Sequence, residues 1–562
     1  MSKYPRLEDF RDCLLSYLKD QKQFFQEDID VSNLMSDDEK IENGLLIVNA
    51  IVQRRNGDEY ELSFERNLTK VRPGDEVELV ANNGAKAKAT VIENQLETMV
   101  VQYDGDLQQS NYYRIVVNSV VLLDPLIKLL ETIEDGQPGA FFLKLLANIA
   151  EPERSEDSSV IYDESDWSIT KLNDEQKNIC KAALQCPSLY CIQGPPGTGK
   201  TDVLGVIARA LNLSGKNVVV LAKTHHAVNN ALNKIRQLCT NAPISKIGSK
   251  LKSEDLSKSI RIYEKYYQYQ KAYRKRMSYI TKYGDVVGMT LQSAIINLGL
   301  LHTSFRPDVI LVDEASQLTL AESSVLGVFG ACSVIFFGDD KQMPPIFHEK
   351  QQHDDLSVSI FSHIISLYPT YEGRLCVTYR MNEEITRIVS QHFYEPYGEK
   401  IVASDFSKER KLLLNGNHPD SRINEILASE KSVVEIDVSK NYNWEDYNPE
   451  EATFIASVTE YVLSLGMDTK DIAIVTPYRR QVLSIRKELR ERLGANIPQV
   501  DTVERLQGQD VDFVIISFSV TSEEFYKNNI AFLLNRNRLN VMISRAKKKV
   551  LLVKSKLIEL GF

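Results

Sequence analysis

Apolar and polar positions change period along the chain. Between residues 7 and 25, large apolar side chains recur every three or four positions, which predicts an amphipathic helix. Over about the next 80 residues the apolar runs are short and partly alternating, and RNGD, RPGD and NNG turns separate them. Closely spaced short strands of this kind predict a small β-barrel. Two further apolar helices, PLIKLLETI and FFLKLLANI, follow it.

From Leu172 onward, helical segments alternate with strand-length apolar runs that end in polar or glycine-containing turns. Eight runs stand out: SLYCIQ, NVVVLA, DVVGMT, DVILVDE, SVIFFG, RLCVTY, DIAIVTP and DFVIISF. Several are apolar nearly throughout, which is typical of parallel strands buried on both faces of a sheet. The pattern predicts an α/β fold with enough strands for two sheets.

One turn in this region has the pattern of a phosphate-binding loop. It follows the strand SLYCIQ, precedes the helix DVLGVIARAL and matches GxxxxGK[ST]. Glycines allow backbone N–H groups to surround phosphate oxygens, the lysine reaches the β- and γ-phosphates, and the Thr hydroxyl binds Mg²⁺. The residues predicted to bind the nucleotide are Gly194, Gly197, Thr198, Gly199, Lys200 and Thr201.

An acidic pair, Asp313 and Glu314, ends the apolar run VILV. A triphosphate site needs a carboxylate for its metal at the end of a neighbouring strand, so Asp313 is predicted to bind Mg²⁺. Glu314 is predicted to polarise the attacking water as general base. The loop and the pair together predict hydrolysis of a nucleoside triphosphate, and they leave open what the hydrolysis is used for.

Composition narrows the class of protein. Of the 562 residues, 43% are hydrophobic and 26% charged, as in globular proteins, which disfavours disorder, collagen and coiled coils. The uncharged apolar stretch from Ser323 to Gly338 has 16 residues, fewer than the roughly 20 needed to cross a bilayer. The first ten residues start no secretory segment. We therefore expect an intracellular protein, cytoplasmic by default with a nuclear location left open, and no membrane partner.

Cysteine usage and charge add two further limits. Seven cysteines, an odd number with no CxxC pair, argue against a disulfide framework, a zinc site and an iron–sulfur cluster. The net charge of −10 would disfavour a polyanionic partner, but residues 1–170 carry −16 and residues 171–562 carry +6. The second segment is therefore the one expected to meet phosphates.

Eight blocks in a fixed order resemble those of superfamily 1 helicases. They are LNDEQ, GPPGTGKT, DEASQ, GDDKQMPP, TYRM, TPYRRQ, ERLQGQD and RLNVMISRAK. The branch to which they are most similar contains the nonsense-mediated-decay RNA helicase and the immunoglobulin-mu-binding helicase. The resemblance covers residues 171–562 and implies an α/β fold of two tandem RecA-like P-loop motor domains, each a parallel sheet flanked by helices, that use ATP and Mg²⁺. An N-terminal accessory β-barrel with stalk helices matches that branch in architecture and not in residues.

The resemblance also assigns roles at the nucleotide site. Gln176 would read the adenine edge, and Tyr379 would stack on the base. Gln342 would contact either the γ-phosphate or the attacking water. Arg380 and Arg545 would be two arginine fingers that stabilise transition-state charge.

Further block residues are assigned in the same way. Asp510 falls where relatives commonly carry Glu near the ribose. His225 and His226 replace the Ser-Asn that is usual in the family's APSN block. The residues that would contact a single strand of nucleic acid are Thr224, Thr290, Pro477, Tyr478 and Thr502.

These expectations divide the chain into five segments. The predicted segments are a stalk helix at 1–43, the barrel at 44–122, stalk helices and an acidic linker at 123–170, the first motor domain at 171–365, and the second at 366–562. The first motor domain would carry a helical insertion at about 251–284. Within it, residues 261–283 hold seven Tyr and seven Lys or Arg, and either grip nucleic acid or pack the tyrosines on the motor.

The sequence thus predicts a monomeric, Mg²⁺/ATP-dependent helicase or translocase on single-stranded RNA or DNA, moving 5′ to 3′ as the resemblance implies. One alternative is an ATP-gated clamp or remodelling ATPase on nucleic acid that separates no strands. Another is a P-loop ATPase that acts on protein partners.

Overall fold

The structure is a computed structural model that describes residues 3–69, 71, 76–95, 97–109, 111–118, 123–137, 139–153, 171–185, 188–248, 251–263, 285–295, 306–331, 333–414, 416–441, 443–504 and 510–561. The acidic linker at 154–170 and the predicted insertion from 264 to 284 lie outside these residues. The chain divides into two compact units. Unit 1 comprises Met1–Gln193, Thr201–Gly338 and Pro344–Gly373, and unit 2 comprises Gly194–Lys200, Asp339–Met343 and Arg374–Phe562.

Unit 1 begins with a stalk of packed helices. The helices are α1 (Leu7–Asn33), α2 (Asp37–Glu42), α3 (Leu123–Glu131) and α4 (Ala140–Leu146). The predicted apolar stripe of α1 is buried at Phe10, Leu14 and Leu18. It packs against α3 and α4, whose apolar side chains belong to the same core. Helices on either side of the barrel in sequence therefore form one stalk.

A closed antiparallel barrel of six strands lies between α2 and α3 in sequence, in the order β1-β2-β5-β4-β3-β6. The strands are β1 (Leu46–Asn56), β2 (Glu59–Ser63), β3 (Glu76–Ala81), β4 (Lys86–Asn94), β5 (Thr98–Gln102) and β6 (Tyr113–Asn118). Alternate side chains such as Tyr60, Leu62 and Leu79 fill the interior. The predicted barrel is confirmed, although the sequence pattern did not indicate β6.

The rest of unit 1 is a sheet of eight strands in the order β10-β9-β11-β8-β12-β13-β7-β14. From β10 to β7 every pairing is parallel. The strands are β7 (Leu189–Gln193), β8 (Val218–Ala222), β9 (Ile244–Ile247), β10 (Arg261–Tyr263), β11 (Val286–Thr290), β12 (Val309–Val312), β13 (Ser333–Gly338) and β14 (Glu372–Arg374). The helices are α5 (Asp174–Gln185), α6 (Lys200–Leu213), α7 (His225–Leu238), α8 (Leu320–Ser323) and α9 (Ile360–Leu367).

The strands β7, β8, β11, β12 and β13 are buried along their whole length, as their uninterrupted apolar runs predict. The start of the predicted insertion differs from expectation. Residues 251–263 contain a 3₁₀ turn at Leu251–Ser253 and the short strand β10 in place of a helix.

Unit 2 contains a five-stranded parallel sheet in the order β17-β21-β20-β18-β19 and a parallel pair of strands, β15 and β16. The strands are β15 (Val377–Thr378), β16 (Val402–Ala403), β17 (Val433–Ile436), β18 (Ile472–Thr476), β19 (Gln499–Thr502), β20 (Val511–Ser517) and β21 (Ala546–Val553). The helices are α10 (Glu383–Val389), α11 (Ser421–Ala428), α12 (Pro449–Ser464), α13 (Arg479–Leu493), α14 (Glu523–Leu533) and α15 (Arg536–Ile543). A π-helical turn, Ser390–Tyr394, continues α10.

The predicted fold class is confirmed, because both units contain parallel sheets with helices and the barrel precedes them. The segment boundaries given above stay predictions. Among the described residues, no helix combines the length and apolar character that a bilayer crossing requires.

Candidate nucleotide site

The phosphate-loop pattern forms the turn between β7 and α6. Gly197 and Gly199 have φ of 73° and 82°, in the left-handed region that glycine adopts without cost. Thr198 closes the loop, since its N–H and hydroxyl both donate to the Pro195 carbonyl, at 3.3 and 2.8 Å. The Lys200 amine donates to the Gly194 carbonyl, so it lies across the mouth of the loop where a phosphate would bind.

The block around Tyr379 packs directly on this loop within unit 2. The Thr378 hydroxyl donates to the Pro196 carbonyl at 2.8 Å, and the Tyr379 N–H donates to the Gly197 carbonyl at 2.8 Å. A β-carbon at Gly197 would lie 2.7 Å from the Thr378 hydroxyl oxygen and would also meet Arg380 Cβ. Only glycine therefore fits at this contact. These bonds also explain why β15 ends at Thr378, since the next N–H, that of Tyr379, bonds the loop instead of a neighbouring strand.

Arg380 is brought to the phosphate loop by the same contact. Its guanidinium donates to the Ser544 carbonyl at 3.1 Å, and its Nε lies 3.7 Å from Asp510 Oδ2. The Lys547 amine lies 3.7 Å from the same carboxylate oxygen. Burial lowers the pKa of Arg380, and Asp510 opposes that effect. Asp510 is thus placed as a partner of Arg380, and its contact with the ribose stays a prediction.

The acidic pair follows β12 in unit 1, the unit that also contains Thr201 at the start of α6. The Asp313 N–H donates to the Leu221 carbonyl at 2.7 Å, and Asp313 Oδ1 accepts from the Glu314 N–H at 2.9 Å. Glu314 has φ of 51° and ψ of 37°, a left-handed conformation that is uncommon for a residue with a side chain. Backbone strain of this kind clusters at functional sites, because surrounding structure must hold it in place.

Gln342 lies in a hydrogen-bonded network after β13. Its side-chain amide nitrogen donates to Asp339 Oδ2, and the Tyr394 hydroxyl donates to the same oxygen at 2.6 Å. Asn540 of α15 donates to the Tyr394 oxygen at 3.0 Å and to the Lys341 carbonyl at 2.8 Å. Burial raises the pKa of Asp339, while the nearby Lys200 amine opposes that rise. Gln342 is therefore anchored to Asp339, whose carboxyl group lies near the Lys200 amine.

Arg545, the second predicted finger, is buried between the end of α15 and the start of β21. Its carbonyl accepts from the Val511 N–H at 3.1 Å. The role of Arg545 as an arginine finger stays a prediction.

Gln176 is buried in the first turn of α5. Its side-chain oxygen accepts from the Asn173 N–H at 2.9 Å, and the Asn173 side chain accepts from the Gln176 N–H at 2.8 Å. This reciprocal pair starts the helix in the manner of a capping box. The adenine contact of Gln176 stays a prediction, as does stacking by Tyr379.

The predicted nucleic-acid contacts of unit 1 lie at the carboxyl ends of parallel strands. Thr224 follows β8 and caps α7 by accepting from the Ala227 N–H at 3.2 Å. Thr290 ends β11, and its hydroxyl accepts from the Ser293 N–H at 3.1 Å. Open α/β sheets bind ligands at this edge.

His225 departs from the pattern of the relatives in a way that the structure explains. Burial, aided by the positive charges of Lys246 and Lys252, lowers the pKa of His225 to about 3. The ring is therefore neutral at neutral pH and cannot pair with phosphate as a cation. His226 instead lies exposed, 3.6 Å from Asp255.

The predicted contacts of unit 2 follow the same rule. Pro477 and Tyr478 come directly after β18, and Thr502 ends β19. The Tyr478 ring packs 5.4 Å from Phe532 and 5.9 Å from Phe525, measured between ring centroids. Burial raises the pKa of Tyr478 above its ordinary range.

Three residues of the site were missed by sequence reasoning. Asp339 and Asn540 lie inside quoted blocks, but nothing in a single sequence separates them from their neighbours. Tyr394 lies in no block and has no local signal. The π-helical turn that ends at Tyr394 is a feature often found at functional sites, and it is visible only in the structure.

The chain is similar to known proteins over most of its length. Two family models, both described as an AAA domain, match residues 171–356 and 356–556. The DNA replication ATP-dependent helicase/nuclease JHS1 of Arabidopsis thaliana is 26% identical over 433 residues, which cover 75% of this chain and 31% of that protein. The chain thus spans about a third of that relative.

A protein of Methanocaldococcus jannaschii described as an uncharacterized ATP-dependent helicase is 25% identical over 575 residues, covering 86% of this chain and 83% of that protein. Among solved structures, the crystal structure of arterivirus nonstructural protein 10, a helicase, overlays with a TM-score of 0.40 at 13% identity. The overlay covers 90% of this chain and 78% of that one.

Proposed function

We propose that this chain, a superfamily 1 helicase, hydrolyses ATP and uses the energy to move along single-stranded nucleic acid and separate strands. The observation that carries the proposal is the packing of the Thr378–Arg380 segment on the phosphate loop. The Cβ of Arg380, an arginine of a later block, lies close to Gly197, which supports a role for this side chain at the charge of a transferring phosphoryl group. An arginine held at a phosphate loop in this way is a feature of nucleoside triphosphatases.

The residues present fit a triphosphate and its metal. Gly197 and Gly199 turn the loop through left-handed conformations, and Lys200 lies across its mouth. A hydroxyl at Thr201 and a carboxylate at Asp313 are hard oxygen ligands of the kind that Mg²⁺ prefers. Bound there, Mg²⁺ would neutralise charge that develops on the phosphate oxygens.

Separate residues of the chain then bind the phosphates, stabilise the transition state and accept the proton. Lys200 binds the β- and γ-phosphates, and Arg380 and Arg545 stabilise charge in the transition state. Glu314 accepts a proton from the attacking water. Gln342, anchored by Asp339, contacts the reacting groups.

The finer parts of the proposal rest on resemblance. The six-stranded barrel ahead of the first parallel sheet supports the branch of the nonsense-mediated-decay and immunoglobulin-mu-binding helicases, for which 5′-to-3′ movement is expected. The name of the Arabidopsis relative favours DNA as the nucleic acid. We propose that the protein acts as a monomer, and that Thr224, Thr290, Pro477, Tyr478 and Thr502 contact the strand.

An ATPase titration with single-stranded RNA and DNA of matched sequence tests this function. We expect stimulated hydrolysis with at least one of the two, and release of an annealed strand from a partial duplex. Stimulation without strand release would instead indicate a clamp or remodelling ATPase. Hydrolysis that neither nucleic acid stimulates would contradict the proposal and favour a protein substrate.

A further inference from the structure

A directed chain of hydrogen bonds runs from α15 to Gln342. It links Asn540, Tyr394, Asp339 and Gln342, all of which belong to unit 2. Tyr394, Asp339 and Asn540 are buried. Each group has a limited number of donors and acceptors. The hydrogen bond made by Asn540 therefore limits which atoms donate and accept along the chain as far as Gln342.

The direction is set at Asn540. Its side-chain nitrogen lies 2.8 Å from the Lys341 carbonyl oxygen and 3.0 Å from the Tyr394 hydroxyl. A carbonyl oxygen only accepts, so the atom that faces it must be the amide nitrogen and not the amide oxygen. The second N–H on that nitrogen therefore donates to the Tyr394 oxygen.

The bond from Asn540 also determines where the Tyr394 hydroxyl donates its proton. A phenol has one O–H, and its oxygen already accepts from Asn540. The proton must therefore point at its other neighbour, Asp339 Oδ2, which lies 2.6 Å away.

Asp339 then fixes the side chain of Gln342. Its Oδ2 accepts from Tyr394, and its Oδ1 accepts from the Lys341 N–H at 3.1 Å. The amide nitrogen of Gln342 faces Asp339 Oδ2, the arrangement that an ionised carboxylate requires, because a carboxylate only accepts hydrogen bonds. The amide oxygen of Gln342 is consequently turned away from Asp339.

We propose that Gln342 presents its carbonyl oxygen to the attacking water, and that Tyr394 is the positioning residue that keeps it in this orientation. A carbonyl oxygen can accept from a water O–H but cannot donate to a phosphate oxygen. Of the two contacts expected for Gln342, the structure thus favours the water over the γ-phosphate. This inference rests on the proposed ATP hydrolysis and assigns a role within it.

The first test separates water positioning from phosphate binding. Gln342→Ala should lower the single-turnover rate of ATP hydrolysis by about tenfold or more. Its affinities for ADP and for a non-hydrolysable ATP analogue should keep the wild-type ratio, since no bond to the γ-phosphate is lost. A selective loss of affinity for the ATP analogue would overturn the inference.

The second test addresses Tyr394. Tyr394→Phe removes only the hydroxyl, and we expect a hydrolysis rate lower by roughly five- to tenfold, with the KM for ATP within about twofold of wild type. Tyr368→Phe is the matched control. That buried hydroxyl lies 2.7 and 2.8 Å from the Leu145 and Ala150 carbonyl oxygens in unit 1, outside the proposed site, and its one proton can be donated to either of them. Wild-type rates in both variants would remove the positioning role.

Should Tyr394→Phe fail to fold, Asp339→Asn replaces it. The amide has one oxygen and one nitrogen, so it cannot accept from Tyr394, Gln342 and the Lys341 N–H together, and the same loss of rate at unchanged KM is expected. An active wild type with normal Asp339→Asn turnover would overturn the inference alone. A wild-type chain without ATPase activity would overturn the proposed function as well.

Discussion

Glu314, the proposed general base, has an unusual backbone conformation. Its left-handed φ of 51° follows directly from the turn after Asp313, and the bond from its own N–H to Asp313 Oδ1 helps to hold it. Such a conformation costs on the order of 1–3 kcal/mol, which surrounding structure must offset.

Replacing this carboxylate by an amide of the same shape tests the assignment. Glu314→Gln should bind ATP like wild type but lower kcat by about 10²- to 10⁴-fold, because the amide cannot accept the proton. Lys200→Ala should instead weaken nucleotide binding. Nucleotide titration and steady-state ATPase assays measure both effects. Glu131→Gln, on the exposed surface of α3, is the control, and substantial turnover by Glu314→Gln would sink the assigned base.

At the scale of single residues, sequence reasoning found groups whose chemistry is marked by their position. Asp313 directly follows the apolar strand β12, and Lys200 begins α6 after the loop that follows the apolar strand β7. Tyr394 is the opposite case, since it reaches Asp339 across 55 positions of sequence. Contacts of that kind depend on tertiary packing, which leaves no local pattern to read.

The pairing of α12 with β20 depends on a buried carboxyl group that sequence reasoning did not find. Glu451 of α12 is fully buried and accepts from the Ser517 hydroxyl at 2.6 Å and from the Ser519 N–H at 3.0 Å. Gln481, at the end of the TPYRRQ block, donates to the same Ser517 hydroxyl at 2.8 Å. Burial raises the pKa of Glu451 from 4.5 to about 8.

This shift predicts a pH-dependent stability. Between about pH 4.5 and 8 the folded protein keeps a proton on Glu451 that the unfolded chain releases, so the free energy of unfolding falls as the pH rises. From about pH 5.5 to 7.5, wild type should lose roughly 2 kcal/mol more than Glu451→Gln, which has no carboxyl group to titrate. Urea unfolding followed by tryptophan fluorescence measures the difference. Glu524→Gln in α14 is the control, and parallel pH profiles for wild type and Glu451→Gln would contradict the prediction.

Among the secondary-structure elements, long apolar runs were the most predictable. The strands β8, β11, β12 and β13 all fall within predicted runs, because burial on both faces excludes polar residues. The strand β21 was missed, since it begins with AKKK. Its Lys549 is nevertheless buried, and the amine donates to the Ile426 and Ser429 carbonyls at 3.0 and 2.7 Å. Local composition cannot show that such partners exist.

For the whole molecule, the resemblance of ordered blocks was more informative than composition. The AAA-domain models match residues 171–356 and 356–556, and the relatives are described as ATP-dependent helicases, which agrees with the superfamily resemblance; the branch stays a prediction. Some of the negative charge of the N-terminal segment has an identifiable electrostatic effect within unit 1. Barrel carboxylates Glu59 and Glu93 favour the charged form of the buried Lys246, whose pKa burial lowers to about 8. Part of the barrel's negative charge therefore stabilises the charged amine of the buried Lys246.

A charge swap across the contact between barrel and sheet tests this coupling. Glu93 of the barrel lies 2.8 Å from Lys252, and both side chains are largely shielded, with 27% and 20% exposed. Each single reversal, Glu93→Lys or Lys252→Glu, places like charges together and should cost roughly 1 kcal/mol, while the double swap should restore most of the loss. Thermal unfolding of the four proteins gives the coupling energy. The more exposed pair within the barrel, Lys88 and Glu76 at 3.2 Å, is the matched control, for which we expect a coupling below about 0.5 kcal/mol. Additive effects at Glu93 and Lys252 would show that the barrel does not depend on this ion pair for its position on the sheet.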